Sequence, residues 1–395
     1  MTVTSFFWLP FSVMHPKFVV VDREFVALPS CNVSWEEWFE GCVVMTDGEG
    51  DGNNHGLGEA YRKYSSGIVE KFVRYAGEGW DMDVNDWGGK MLDGKVNGSM
   101  GSNDQSLECD ILHSMEISAD DKNGHDKSRV RTPELPLNIA LDVDNIQTVF
   151  LPSSHHVNPR FRLCRRRKSY HLPPMTALNT FFITAFSFVS SSIYMQTPNL
   201  TCRTVLEGLL DALGRGVDVT IVTSERLMVL EQLVTAKRTT KRCVRELVEQ
   251  YEKVTKRILS RNSRAREERL EEGLLVHGNV KIGALKIMFF RSLDDPSASS
   301  TSSRVGIARG QEPNPVQSHL KLTIFDRETV VLGSGNMDRA SWYTSRELDV
   351  AFASEKMAAR IMDMLFGNED SGKRRGGGEG VLKGRLKTYY DSNSR

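Results

Sequence analysis

Five residue types recur at the same offsets in two distant parts of this chain. HPKFVVVDREFVALPSCN, from His15 to Asn32, and HLKLTIFDRETVVLGSGN, from His319 to Asn336, share His, Lys, Asp, Ser and Asn at offsets 0, +2, +7, +15 and +17. With each type near one position in twenty, the pattern has a chance frequency of about 3 in ten million per starting point, so its duplication constrains the fold. Each copy reads as strand, tight turn, strand: KFVVVD then FVALPS, and KLTIFD then TVVLGS. The continuous apolar runs predict strands covered on both faces, which puts the first hairpin, Lys17 to Ser30, in the middle of a sheet. Two such half-motifs meeting across a pseudo-twofold axis gather two imidazoles, two ammonium groups and two amides around one small volume.

Lys and Asn donors aimed at a common point, without a set of carboxylate metal ligands, suit a phosphoryl group whose non-bridging oxygens gain charge in the transition state. Paired histidines complete such a site. One imidazole attacks phosphorus to form a phosphohistidine, and the other protonates the leaving oxygen and then activates water or an alcohol. This scheme requires neither a metal nor an organic cofactor.

HxKxxxxD, present twice and followed by PSCN in the first copy and GSGN in the second, resembles the signature of the phospholipase D superfamily. The stretch SIYMQTPNLTCRTVLEGLLDALGRGVDVTIVTS is similar to the segment before the second motif in its cardiolipin synthase-like members. The resemblance covers both motif blocks and about residues 135–352. It implies an α/β fold of two phospholipase D-like lobes, each a mixed β-sheet flanked by helices and related by a pseudo-twofold. It also implies that His15 and His319 are the nucleophile and acid/base pair, with His15 favoured as nucleophile. Lys17, Lys321, Asn32 and Asn336 would bind the phosphate, supported by Ser30 and Ser334. Asp22 and Asp326 would be structural, and Glu40 and Glu347, shortly after each motif, would orient the imidazoles.

Two departures from the family pattern stand out. Pro29 and Cys31 occupy the positions of Gly333 and Gly335, and a proline removes an amide donor, so the first turn is expected to be shaped differently. The first motif also lacks the long helix-and-strand segment that precedes the second. The first lobe is therefore expected to be incomplete, as in an N-terminally shortened member, and the chain poorly soluble or oligomeric.

Composition sets the remaining expectations. Lys plus Arg and Asp plus Glu both count 51, so no global field favours nucleic acid or an anionic membrane. Six cysteines without a C-x-x-C pair favour a reducing, intracellular compartment and no zinc. Residues 46–125 hold 14 glycines and 16 acidic against 7 basic residues, a balance that predicts an irregular insertion with one helix near Ser66 to Tyr75. Met175 to Met195 predicts a buried helix over Thr176 to Ser190 running into a strand, and not a membrane span. Leu227 to Glu272 reads as charged helix with a solvated face, a phosphate or anionic-lipid contact surface being the alternative, and Trp35 and Trp38 read as packing residues on a helix or turn, with a lipid-facing role as the alternative. The expected organisation is the end of the first lobe over 1–45, the acidic insertion over 46–132, the second lobe over 133–370 and a flexible tail over 371–395.

The function expected from the resemblance is a phosphodiesterase or phosphatidyltransferase acting on phospholipid, with peripheral membrane contact and homo-oligomerisation as expected associations. A nuclease-type phosphodiesterase acting on nucleic acid, and a catalytically silent relative, are the alternatives.

Overall fold

The computed structural model describes residues 7–8, 12–13, 15–22, 24–30, 38–46, 68–77, 106–107, 143–144, 146–153, 172–271, 281–292, 317–367 and 380–394. Asn32, Cys31, Trp35 and residues 78–105 of the acidic segment lie outside them, as does the basic Gly-rich stretch 371–379.

The first motif forms strands β1 (Val19–Val21) and β2 (Phe25–Pro29), and β2 pairs antiparallel with β3 (Cys42–Thr46). Helix α1 (Ile68–Gly77) follows, at the place where the apolar spacing predicts one. It buries Ile68, Val69, Phe72 and Tyr75.

The second motif sits in a much larger body. Strand β4 (Gln147–Ser153) precedes helix α2 (Ala177–Phe188), strand β5 (Ser192–Thr197), helix α3 (Arg203–Gly214) and strand β6 (Asp218–Thr223). Helices α4 (Val229–Ala236) and α5 (Thr240–Glu271) lead to β7 (Leu285–Phe290). The motif hairpin is β8 (Leu322–Phe325) and β9 (Thr329–Gly333), followed by α6 (Arg339–Tyr343), β10 (Glu347–Ala353), α7 (Glu355–Phe366) and β11 (Leu386–Asp391). The eight strands lie in the order β11-β7-β6-β5-β8-β9-β10-β4. β5, β6 and β7 run parallel, and the remaining pairings are antiparallel.

Both faces of this mixed α/β sheet are covered, which explains its apolar strands. Along β5, Ile193 and Met195 enter one core with α2, α3 and the start of α5, while Tyr194 enters a second core on the opposite face. That second core holds Met357, Ala358, Ile361 and Leu365 of α7. It also holds Val26, Leu28, Val43 and Met45 of the first-motif sheet, and α1. The first-motif strands are thus packed through the same apolar cluster as one face of the large sheet.

Helix α2 starts where expected because the Thr176 hydroxyl accepts from the Asn179 amide at 3.2 Å, an N-cap. Among the described residues no helix is long and apolar enough to cross a membrane.

Three expectations are corrected. Among the described residues the first hairpin is not central: β1 is an edge strand with Val19 exposed, and β2 alternates buried Val26 and Leu28 with half-buried neighbours. One face is buried, and the unbroken run of apolar residues concealed the period of two. The terminal segment is not wholly a tail, since β11 pairs with β7 at the sheet edge. Trp38 lies in a short strand, Trp38–Phe39, parallel to Gln317–Ser318, and not on a helix or turn.

Candidate active site

Both motif turns place their aspartate in the left-handed region, Asp22 at φ 51° and Asp326 at φ 52°. Asp is among the few side chains that tolerate this backbone, and positive φ suits a tight hairpin. Each turn closes with the same bond, Glu24 N–H to the Val21 carbonyl (3.0 Å) and Glu328 N–H to the Phe325 carbonyl (2.9 Å). The Asp326 carboxylate also accepts from the amides of Ser190, Ser191 and Ser192, at 2.7 to 3.2 Å, which ties the hairpin to the start of β5. Burial opposes its ionised form, but these donors outweigh it and hold the carboxyl down at about 2. The second aspartate thus braces the fold from the turn.

At the other end of the hairpins the two halves exchange contacts. His15 Nδ1 lies 2.9 Å from Glu347 Oε2, and His319 Nδ1 lies 2.7 Å from Glu40 Oε1. Each imidazole is oriented by the carboxylate of the opposite half. The backbone repeats the exchange, His15 N–H donating to the Arg346 carbonyl (3.0 Å) and His319 N–H to that of Phe39 (2.9 Å). Nδ1 bound to a carboxylate is the protonated nitrogen, so Nε2 keeps its lone pair in the neutral ring.

The motif serines hold the carboxylates. Ser30 Oγ donates to Glu40 Oε2 (2.5 Å), and Ser334 Oγ donates to Glu347 Oε2 (2.6 Å). Each serine hydroxyl in turn accepts a backbone N–H, from Gly41 and Leu348 respectively, both at 3.0 Å. Ser30 N–H bonds Gly41 O as Ser334 N–H bonds Leu348 O, so Pro29 leaves this part of the first turn unchanged. The lysines match as well, Lys17 Nζ donating to His15 O (2.9 Å) and Lys321 Nζ to His319 O (2.8 Å). Lys321 also reaches across to Ser30 O at 3.2 Å.

The sequence profile of the family described as cardiolipin synthase, PLD-like domain, matches residues 183–366, a span that contains His319, Lys321, Asp326, Ser334, Asn336 and Glu347. That segment, a little under half of the chain, is thus similar to a phospholipase D-like domain.

Three solved structures are similar to it. Nuc of Salmonella typhimurium, described as a phospholipase D family member, is 18% identical over 48% of this chain and 83% of its own, with a TM-score of 0.29. NucT of Helicobacter pylori is 12% identical over 47% of this chain and 82% of its own, with a TM-score of 0.27. Phosphatidylserine synthase of Haemophilus influenzae Rd KW20 is 12% identical over 89% of this chain and 60% of its own, with a TM-score of 0.38. No curated protein matches the chain.

Electrostatics differ between the two motif halves. Burial pushes the His319 imidazole below its ordinary value, and the Lys321 and Lys17 charges add to this against the pull of Glu40. Burial alone would raise Glu40, but the bond and charge of His319, with Lys321 and Ser30, hold it below the usual carboxylate range. The pair is therefore a neutral imidazole donating to a carboxylate. Glu347 is buried, which raises it, yet His15, Lys17 and Ser334 together bring it below its usual value. Lys321 falls to about 7 through burial and the neighbouring Lys17 charge. Its Nζ lies 2.8 and 2.9 Å from the two ring nitrogens of His319.

Ser341 and Asp349 are not legible in the motif because they have no counterpart in the repeat. Ser341, at the start of α6, donates to Glu347 Oε1 at 2.7 Å. Asp349 accepts from Gly335 N–H at 2.8 Å, and burial pushes its carboxyl up to about 7. A Cβ on Gly333 would lie 2.3 Å from Asp349 Oδ1, which is why the second motif needs glycine there. In the first half Pro29 faces Cys42 in the position where Gly333 faces Asp349. The Trp38 ring stands 4.8 Å from that of His319. Asn336 is buried beside Ser341, whose hydroxyl accepts its N–H at 3.2 Å. Among the described residues no cluster of His, Cys, Asp or Glu could hold a metal ion.

Proposed function

We propose that the chain is a phosphodiesterase or phosphatidyltransferase that cleaves or exchanges a phospholipid phosphodiester through a covalent phosphohistidine. The observation that carries this reading is the reciprocal pairing of His15 with Glu347 and of His319 with Glu40. It leaves the Nε2 of each ring free of the carboxylate behind it, with Lys321 Nζ 2.9 Å from that of His319.

In the first step Nε2 of His15, the more accessible ring with 21% of its side chain exposed against 2% for His319, attacks phosphorus. The P–N bond forms as the P–O bond to the leaving group breaks, and His319, protonated at Nε2, gives its proton to the departing oxygen. Charge growing on the non-bridging oxygens is met by Lys17 and Lys321, with Asn336 and Asn32 as amide donors. In the second step His319 takes the proton of a water or an alcohol, whose oxygen attacks phosphorus as the P–N bond breaks. Water gives hydrolysis and an alcohol gives transfer. A lowered His319 pKa makes its imidazolium a stronger acid than an ordinary one, and the arriving anionic phosphate favours its protonation.

The test is incubation of the full chain with mixed phospholipid vesicles, followed for released head group, beside a digestion of single-stranded DNA. Head-group release, with an acid-labile phosphoenzyme abolished by His15→Ala, is expected. Nucleic-acid cleavage without lipid turnover would replace the substrate class, and absence of both activities would overturn the reading.

A further inference from the structure

Helix α4 (Val229–Ala236) is packed with its polar side inward. Gln232 is buried, its Nε2 donating to Asn199 Oδ1 and to Leu227 O, both at 2.7 Å, while its Oε1 accepts from the Thr240 amide at 2.6 Å. On the opposite side Leu230, Leu233 and Val234 are 80%, 45% and 61% exposed. Their spacing of i, i+3 and i+4 makes one continuous stripe. The rotation of the helix is set by the three bonds of Gln232 and by residues of positive φ at both ends, Met228 at 51° and Lys237 at 57°.

Basic side chains outnumber acidic ones around the helix. Residues 226–245 contain six basic side chains (Arg226, Lys237, Arg238, Lys241, Arg242, Arg245) and one acidic one, Glu231. Outside that span Glu225 pairs with Lys241, Glu246 with Arg238 and Arg242, and Glu249 with Arg245. Arg226 and Lys237, at the two ends of the apolar stripe, are exposed and in none of these ion pairs. An apolar stripe bracketed by cations is the pattern of a helix lying in the headgroup layer of an anionic bilayer, with long basic side chains reaching back to phosphate.

The helix is also close to the candidate site. Asn199, which holds Gln232, lies 3.5 Å from Asp338, and Asp338 caps α6 by accepting from Ser341, the residue that donates to Glu347. We propose that the Leu230–Leu233–Val234 stripe, with Arg226 and Lys237, docks the protein on an anionic phospholipid surface beside the site. The surface stands on the geometry of α4. Its placement of a lipid substrate rests on the phosphodiesterase reading, so the test reads binding apart from turnover.

The full chain would be sedimented with vesicles of phosphatidylcholine alone or with phosphatidylglycerol added. Binding to the mixed vesicles is expected, falling ~10-fold or more in a Leu230→Ser, Leu233→Ser, Val234→Ser triple variant. Arg226→Gln with Lys237→Gln should remove the preference for the anionic lipid, ~10-fold. Both variants should hydrolyse a soluble phosphodiester such as bis(4-nitrophenyl) phosphate as the unaltered chain does, and His319→Ala should bind vesicles undiminished. Lack of hydrolysis by every form, with vesicle binding still lost in the triple variant, would sink the catalytic reading and leave the docking surface standing. Docking is overturned if the unaltered chain ignores both vesicles or if the triple variant binds as well as it does. It is equally overturned if light scattering shows a dimer that only the triple variant dissolves, since a second copy would then be the occupant.

Discussion

The two motif halves share one hydrogen-bond diagram and differ in what stands behind it. Histidine, lysine, serine and glutamate make equivalent bonds in both, so the reacting groups are matched. Among the described residues the second hairpin, however, is flanked by strands on both sides in an eight-stranded sheet, and the first has a neighbour on one side only, in a three-stranded one. Asp326 is bound by three backbone amides, whereas among the described residues Asp22 has no side-chain hydrogen bond. Chemistry asks for symmetry at the imidazoles alone. Support for those imidazoles can be distributed unevenly as long as each ring is held.

The hardest test of that equivalence is removal of a ring. His15→Ala and His319→Ala should each lower kcat/KM by ~10³-fold or more, because attack and protonation are both required. Loss on one substitution only, in a steady-state assay, would break the symmetry of roles.

Next come the carboxylates. Glu40→Gln and Glu347→Gln should each cost ~10² to 10³ in kcat through the wrong tautomer or a mis-set ring. The comparison sharpens in stability. Glu347 is almost wholly buried and receives Ser334 and Ser341 as well as His15, so its change should cost about 2 kcal/mol in urea unfolding and that of Glu40 about half as much. Equal costs would mean that burial does not distinguish the halves.

The dependence on pH follows from the second half. Lys321, folded near 7 against an ordinary 10.5, loses its charge as pH rises through about 7. His319, held below 6.5, loses its acid proton earlier still. Activity should therefore decline on the alkaline side by up to ~10-fold per pH unit, beginning below neutrality in kcat/KM. A flat profile up to pH 9 would contradict both assignments.

The smallest effect concerns the turns. Asp326→Asn should destabilise by about 1 to 2 kcal/mol and Asp22→Asn by less than about 0.5. Because Asp326 is depressed to about 2, its contribution is present above the unfolded value near 3.8 and disappears as pH falls through 2. The gap between the unaltered chain and Asp326→Asn should close over that window in denaturation at graded pH.

What the sequence by itself determined is local. Hairpins, turn aspartates and the helix over Ala177–Phe188 follow from spacings within about thirty residues, where backbone geometry dictates which side chains share an end of a strand, whereas Glu40 and Glu347 are pointed to by the family resemblance alone. Tertiary structure decided which imidazole each carboxylate serves. His15 meets Glu347 across 332 positions and His319 meets Glu40 across 279, and nothing in either motif specifies that the partners cross over. It also decided that the first hairpin is an edge and that α4 turns its leucines outward. Periodicity finds an apolar stripe on a helix, but which way the stripe faces depends on the pull of a few buried polar contacts, here those of Gln232 with Asn199, Leu227 and Thr240.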